Sequence, residues 1–365
     1  LTALSIRAIQ PNWKDPYMQH WSLDVQRLFG DNMMASVGYF GSKGTHLIGT
    51  YELNEIPPGK ALTTQCASGN NTLQTPGVVT GPCQVAGTYF GGSGGGVSSN
   101  VLDQIRPYRG YRSITMLTPQ FNSNYHSLQA MLQRRFGVSS QVNVAYTWSK
   151  NLTDNITDRS DAPENSYNIR LDRGKAALDR RHIFTANYIY DLPWFSKRHD
   201  FVGNVLGGWE VSGIVSLQTG LWYTVTTNFD ASGLGNVPAL VAGNRANVLC
   251  DPNANAPHTF AQWFNTACFE KTPTAPPVAN VVGNGGRGVI LGPPTKRFDL
   301  SVFKNIRFGE KVKLQLRGEA FNVFNHTNFR NLSGTSKIAV TSATFGQINA
   351  VRDPRTIQLG AKLSF

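Results

Sequence analysis

Polar and apolar residues alternate along this chain with period two, the repeat of a strand whose two faces meet different environments. The cleanest run is QVNVAYTWSK, Gln141–Lys150, where Val142, Val144, Tyr146 and Trp148 oppose Gln141, Asn143, Ala145, Thr147 and Ser149. In Trp21–Phe29, Trp21, Leu23, Val25 and Phe29 alternate with Ser22, Asp24, Gln26 and Leu28. In Trp209–Thr219, Trp209, Val211, Val215 and Leu217 oppose Glu210, Ser212, Ser216 and Gln218. In Lys311–Ala320, Val312, Leu314, Leu316 and Ala320 oppose Lys311, Lys313, Gln315, Arg317 and Glu319. The chain closes on RTIQLGAKLSF, with Ile357, Leu359, Ala361 and Leu363 set against Gln358, Lys362 and Ser364. Weaker versions at 33–43, 124–136, 181–191 and 297–308 bring the total to about nine strands. Each has roughly the 9–11 residues that a tilted strand needs to cross a bilayer. All 19 prolines fall outside these segments, as expected of residues that cannot donate to a ladder.

The connections carry a second pattern. Tight turns at 30–32, 137–139 and 309–310 alternate with long stretches at 44–123, 151–180, 227–296 and 325–354, while 193–208 is intermediate. Structureless loops of this length are uncommon in compact soluble domains. Short turns on one side and long loops on the other are the habit of outer-membrane barrels. The pattern therefore predicts an all-β, antiparallel transmembrane β-barrel with long external loops. Aromatic residues sit where interfacial girdles would lie: Tyr146 and Trp148 before a long loop, Tyr188, Tyr190 and Trp209 around the intermediate connection.

Composition agrees with strands and turns: hydrophobic residues are 40%, aromatics 11% and charged residues only 15%, with 36 glycines. There is no run of about 18 apolar residues, so no transmembrane helix is predicted. The slightly negative mean hydropathy does not argue against a barrel, because every second residue of a membrane strand faces a polar lumen. The net charge of +12 is scattered without a basic stripe, which argues against nucleic acid as a partner.

The four cysteines form two local pairs, Cys66 with Cys83 and Cys250 with Cys268, each within a long polar loop. Neither has zinc or redox spacing, so both are expected as disulfides in an oxidising compartment. GNGGRG at 283–288 matches a dinucleotide fingerprint, but Val289–Gly292 and then Pro293 and Pro294 follow instead of a helix. A flexible external loop is the better reading, as it is for GGSGGG at 91–96. Asp154, Asp158 and Asp161 crowd one loop without EF-hand spacing and read as a solvated acidic loop. The seven histidines show no metal-ligand spacing, and no serine, cysteine or carboxylate pair has a catalytic setting. No cofactor, metal or enzymatic activity is predicted. Asp179–His182, DRRH, reads as a charge cluster at a strand entry near the outer rim.

Taken together, the segments Pro16–Leu47, NSNYHSLQAMLQRRFG with VAYTWSKN, DRRHIFTANYIYDLP, GWEVSGIVSLQTG and LRGEAFNVFNHTNF resemble the C-terminal barrel of TonB-dependent outer-membrane receptors. The resemblance is to the Oar-like group, whose members carry a carboxypeptidase-regulatory-like N-terminal domain, and covers Pro16 to Phe365. It implies a barrel of about 22 strands, an N-terminal plug and a TonB box outside this sequence, and ligand import driven through TonB. Nine strands put the termini on opposite sides of the membrane, whereas a complete bacterial barrel has an even number. The expectation is a fragment, residues 1–365 forming the C-terminal part of one barrel domain, with about 13 strands missing upstream.

The expected partners are outer-membrane lipid, the TonB complex through the missing N-terminal region, the β-barrel assembly machinery and a ligand the sequence does not identify. Lys313, Gln315, Arg317, Glu319, Gln358 and Lys362 are expected to face the lumen. Phe365, with Leu363, resembles the C-terminal signal read by the assembly machinery. A non-transporting surface or adhesion protein on the same scaffold, and a soluble β-rich binding module, are the alternatives.

Overall fold

The computed structural model describes residues 4–57, 60, 65–67, 80–82, 103–137, 139–155, 162–195, 198, 201–227, 234, 244–270, 283–308, 312–330, 332 and 338–365. In chain order the strands are β1 (Leu4–Ile9), β2 (Tyr17–Phe29), β3 (Met33–Glu52), β4 (Gln65–Ala67), β5 (Thr80–Pro82), β6 (Tyr111–Phe136), β7 (Ser140–Thr153) and β8 (Gly174–Lys175). They continue with β9 (His182–Asp191), β10 (Trp209–Gln218), β11 (Trp222–Tyr223), β12 (Ile290–Leu291), β13 (Thr295–Phe308), β14 (Val312–Phe321) and β15 (Thr356–Ser364). A short helix, Phe201–Leu206, lies between β9 and β10.

Nine strands follow one another in a single antiparallel sheet, in the order β2, β3, β6, β7, β9, β10, β13, β14, β15. They are the nine segments marked by the alternating pattern. Strands β1 and β8 are accessory, β1 running parallel to β6 and β8 pairing with the end of β7. The sheet is not closed, and β2 and β15 are the ends of its strand order.

The register turns the pattern into two surfaces, because directly opposed residues of an antiparallel pair share a face. One row passes from Val25 through Val37, Ala130, Tyr146 and Phe184 to Leu217. Another joins Val211, Val302, Gly318 and Leu359. On the opposite face lie Gln26, Ser36, Met131, Ala145, Thr185 and Ser216, and the row Ser212, Ser301, Glu319 and Gln358. Much of the apolar face is exposed: Leu359 is 81% exposed and Ile357 65%. Such a surface is unfavourable in water and is matched by hydrocarbon.

Two strands exceed their predicted bounds by nine residues or more. The expected segment 33–43 continues to Glu52, and the expected 124–136 begins at Tyr111. At roughly 3.3 Å per residue the 26 residues of β6 span about 86 Å, far beyond the ~30 Å hydrocarbon layer. The extension escapes the period-two search because its pairing is irregular. The register shifts between Gly44 and Leu47 and again between Leu47 and Ile48, and Pro119 is placed opposite Ile48. A proline inside a strand is tolerated beside such a bulge. The upper half of β6 also takes β1 on its other edge, with Ile6 against Ile114 and Ile9 against Leu117.

The apolar core lies outside the sheet, in the long connections β10–β13 and β14–β15. Val225, Trp263, Phe264, Phe269, Ile290, Leu332, Val340 and Phe345 are buried in one cluster. Phe264, Phe269 and Phe345 meet edge to face, with centroids 5.2–5.8 Å apart. Trp263 Nε1 donates to the Leu291 carbonyl (2.9 Å), and Thr226 forms backbone bridges to both Arg245 and Ala339. Cys250 is bonded to Cys268, with Cα atoms 4.8 Å apart. Closing a loop of this length restricts the unfolded chain by about 3 kcal/mol. Cys66 lies on β4, but Cys83 and the side chain of Cys66 are outside the described residues, as are Asp158, Asp161 and GGSGGG at 91–96.

GNGGRG is a correction to the expected free loop. A Cβ on Gly283 would lie 1.9 Å from the Arg245 carbonyl, and Gly288 has φ +67°. These glycines let the segment pass against Arg245–Val248 and against Lys175 and Trp222. They serve packing within the cap, the buried cluster of the long connections.

Candidate ligand-binding mouth

The cap meets the polar face of the sheet where β13, β14 and β15 reach the long-connection end. A cavity of about 630 Å³ opens there, lined among others by Arg297, Phe321, Arg330, Arg352, Asp353 and Thr356. Arg297 and Thr356 enter it from the sheet because they share the face of Glu319 and Gln358. Arg330 and Arg352 enter from the β14–β15 connection, which folds back on itself through the bridge Phe329–Val351. The Arg330 amide donates to the Ala350 carbonyl (2.9 Å) and the Arg352 amide to the Asn328 carbonyl (2.7 Å).

Two asparagines hold this corner. Asn328 accepts from the Lys296 amide (2.7 Å) and donates to its carbonyl (2.8 Å), docking the connection onto the start of β13. Asn322, at φ +51°, accepts from His326 N and donates to His326 O, both at 3.0 Å. Left-handed backbone suits asparagine better than most side chains.

With the asparagines so engaged, three guanidinium groups and one carboxylate define the charge of the cavity. Arg297 shares part of its charge with Asp299 at 2.8 Å and lies 5.9 Å from the Phe321 ring centre. Arg180, at the entry to β9, is held below the usual guanidinium range by burial first and then by the nearby Arg352 cation. Burial pushes the Tyr223 hydroxyl up to about 12, against the opposing pull of Arg180. The mouth is cationic, and its planar forks suit carboxylate or phosphate oxygens.

Buried ion clusters fasten the cap. Arg245 Nε lies 2.7 Å from Glu164 Oε2, and its Nη1 donates to Asp172 Oδ1 at 3.0 Å and to the Leu171 carbonyl at 2.7 Å. The Arg245 amide donates to Glu164 Oε1 (2.6 Å), and the Glu164 amide to Asp172 Oδ2 (3.0 Å). Burial raises the Asp172 carboxyl, while Arg245 and Arg287 pull it down. Nearer β3 and β6, Asp103 pairs with Arg106 (2.8 Å) and Arg112 (3.4 Å), and Glu52 accepts from Asn54 N, Ile114 N and Ser113 Oγ.

The sequence-predicted polar residues assemble as a group. Gln315 opposes Lys362, Glu319 opposes Gln358, Arg317 opposes Gly360, and Lys313 opposes Ser364. Gln315 Nε2 also donates to Asn305 Oδ1 at 3.0 Å. Leu363 opposes Leu314 on the other face, and Phe365 is 97% exposed beyond β15. In DRRH, Asp179 accepts from the Asn151 amide (2.6 Å), Arg180 donates to the Thr219 carbonyl, and His182 Nδ1 meets the Tyr146 hydroxyl at 2.7 Å. The cluster secures the top of β7 and β9. Arg330 and Arg352 escaped the sequence reading because isolated arginines in aperiodic loops carry no spacing signal, and Arg297 because its place at the start of β13 marks only a strand face.

Residues 1–358 match the family described as "Outer membrane beta barrel domain". No curated protein matches. Among solved structures, the outer membrane transporter YddB from Escherichia coli aligns with TM-score 0.46 and 8% identity, over 100% of this chain and 34% of its own. The FrpB iron transporter from Neisseria meningitidis aligns with TM-score 0.41 and 11% identity, over 99% and 33%. The chain thus spans about a third of the length of these structures.

Proposed function

The chain belongs to the outer membrane beta-barrel domain family, and from that premise we propose that it is part of a TonB-dependent receptor of the Oar-like group. The protein is integral to the outer membrane. In this reading the long-connection end faces outward and the polar face lines a lumen, which brings Lys313, Gln315, Arg317, Glu319, Gln358 and Lys362 toward a plug supplied by another part of the protein. Among the described residues β2 and β15 have no further ladder partner on their outer edges, which supports further strands, since open sheet edges are not stable in hydrocarbon. Phe365 and Leu363 serve recognition by the barrel assembly machinery.

The observation that carries the reading is the arginine-lined cavity at the mouth of the polar face, beneath a cap fastened by buried ion pairs and the Cys250–Cys268 disulfide. A receptor needs such a rigid entrance. The test is depletion of solutes from the medium by cells with and without the gene, each in a background with and without TonB. Transport predicts a solute depleted only when both are present. Depletion that persists without TonB overturns energised import. Surface binding without depletion in any strain overturns transport in favour of a surface protein.

A further inference from the structure

Several cations share the apolar face, among them Arg27, Arg134 and Lys296, which are exposed; Lys304 differs from them in being buried. Lys304 lies on β13 between Val302 and Ile306, opposite Trp209 of β10 and Leu316 of β14. It is 7% exposed, donates from Nζ to the Gly207 carbonyl and sits 5.4 Å from the Trp209 ring centre. Among the described residues no carboxylate is recorded within ion-pair distance of it. A lysine on a lipid-facing strand is costly at the midplane and tolerated near the interface. This one is close to the short-turn end, four positions before the end of β13 at Phe308.

Lys304 stands at the head of a groove of about 670 Å³ on that face. One wall is the short helix, through Asn204 and Val205, and the floor includes Val302, Gly318 and Leu359. Gly318 makes the depression, because the row Val302–Gly318–Leu359 lacks a side chain at its centre. A Cβ there would meet only Leu359 Cδ2, at 3.5 Å. The helix leaves Phe201 81% exposed, with Val205 and Leu206 also on the surface, which suits a segment resting in the membrane interface.

We propose that this groove is a binding site for an anionic glycerophospholipid. The headgroup phosphate sits against the Lys304 ammonium, and one acyl chain runs past Trp209 along Val302, Gly318 and Leu359 into the hydrocarbon. The charge selects an anionic head, and the apolar floor selects a chain in place of a free phosphate. Short turns of such barrels face the periplasm, which assigns the site to the phospholipid leaflet of the outer membrane. The inference rests on membrane location and is independent of whether the barrel transports.

The test reconstitutes the full chain in vesicles containing phospholipids brominated on the acyl chain, with either phosphatidylglycerol or phosphatidylcholine heads. Trp209 quenching is read as the difference between wild type and Trp209→Phe. The wild type is expected to prefer brominated phosphatidylglycerol by about fivefold, the effect of one lysine on an anionic lipid. Lys304→Met should bring the ratio to about one, and Gly318→Leu should weaken quenching by both lipids. Heat-modifiable migration in gels checks that each variant folds, and Lys304→Met suffices if Gly318→Leu does not. Equal quenching by the two lipids in wild type, or a preference that survives Lys304→Met, overturns the assignment.

Discussion

Replacing Arg245 by methionine removes the cation that two buried carboxylates share. The side chains of Arg245, Glu164 and Asp172 are 4%, 1% and 3% exposed, so solvent cannot substitute for the lost partner. Breaking a buried pair from one side costs roughly 3–5 kcal/mol. Here the lower end applies, because Arg287 still pulls the Asp172 carboxyl down. A loss of about 3 kcal/mol raises the local opening constant about 100-fold. Arg245 joins connections 81 residues apart, so the loss falls on the cap while the sheet ladder stays intact.

Hydrogen exchange reads this directly at the Ala246 and Leu249 amides, which donate to Val225 and Cys268. The defect should also depend on pH. Asp172 is already raised in the native protein, and loss of Arg245 raises it further. A carboxyl raised in the folded state favours folding below its unfolded value and loses that contribution as pH climbs through its folded value. The difference from wild type should therefore shrink toward about pH 4 and grow toward neutrality. Opening that changes less than about fivefold and shows no pH dependence would refute the view that this cluster fastens the cap.

Leu314→Arg places a cation on the apolar face and should cost roughly 2–4 kcal/mol in reversible urea unfolding in lipid, against little for Lys313→Leu; the reverse order would mean the faces are exchanged. Cys250→Ser should raise cap exchange by about two orders of magnitude, from about 3 kcal/mol of loop closure, and reductant should do the same to wild type. Lys175 sits 3.1 Å from the Trp222 ring centre and donates to the Gly288 carbonyl, and burial lowers its ammonium to about 8. Between that value and its ordinary 10.5 the unfolded state holds more protons, so protection of the β7–β8 contact should rise with pH across this window. Lys175→Met should flatten that slope. Deleting Phe365 should reduce the fraction of heat-modifiable, membrane-inserted protein while total secreted protein is unchanged.

The alternation of Gln141–Lys150 and its eight counterparts was enough to locate the nine strands on the main path of the principal sheet, though not the accessory β1 and β8, and to sort its residues between two faces. Side-chain direction in a strand is a local property with period two, so neighbouring residues determine it. The placement of Lys313, Gln315, Arg317 and Glu319 beside Gln358 and Lys362 was legible for the same reason. The lengths of β3 and β6 were not, because bulges near Gly44–Ile48 break the period and Pro119 looks like a stop. The cap was less legible still. Arg245 reaches Glu164 across 81 residues, and Arg297, Arg330 and Arg352 converge from a strand and a folded connection. No local repeat records such contacts, since they exist only once the strands have set the loops side by side. Strand identity and facing belonged to the sequence alone; the cationic mouth and the groove under Lys304 were decided by tertiary structure, because each is assembled from segments whose only relation is proximity in space.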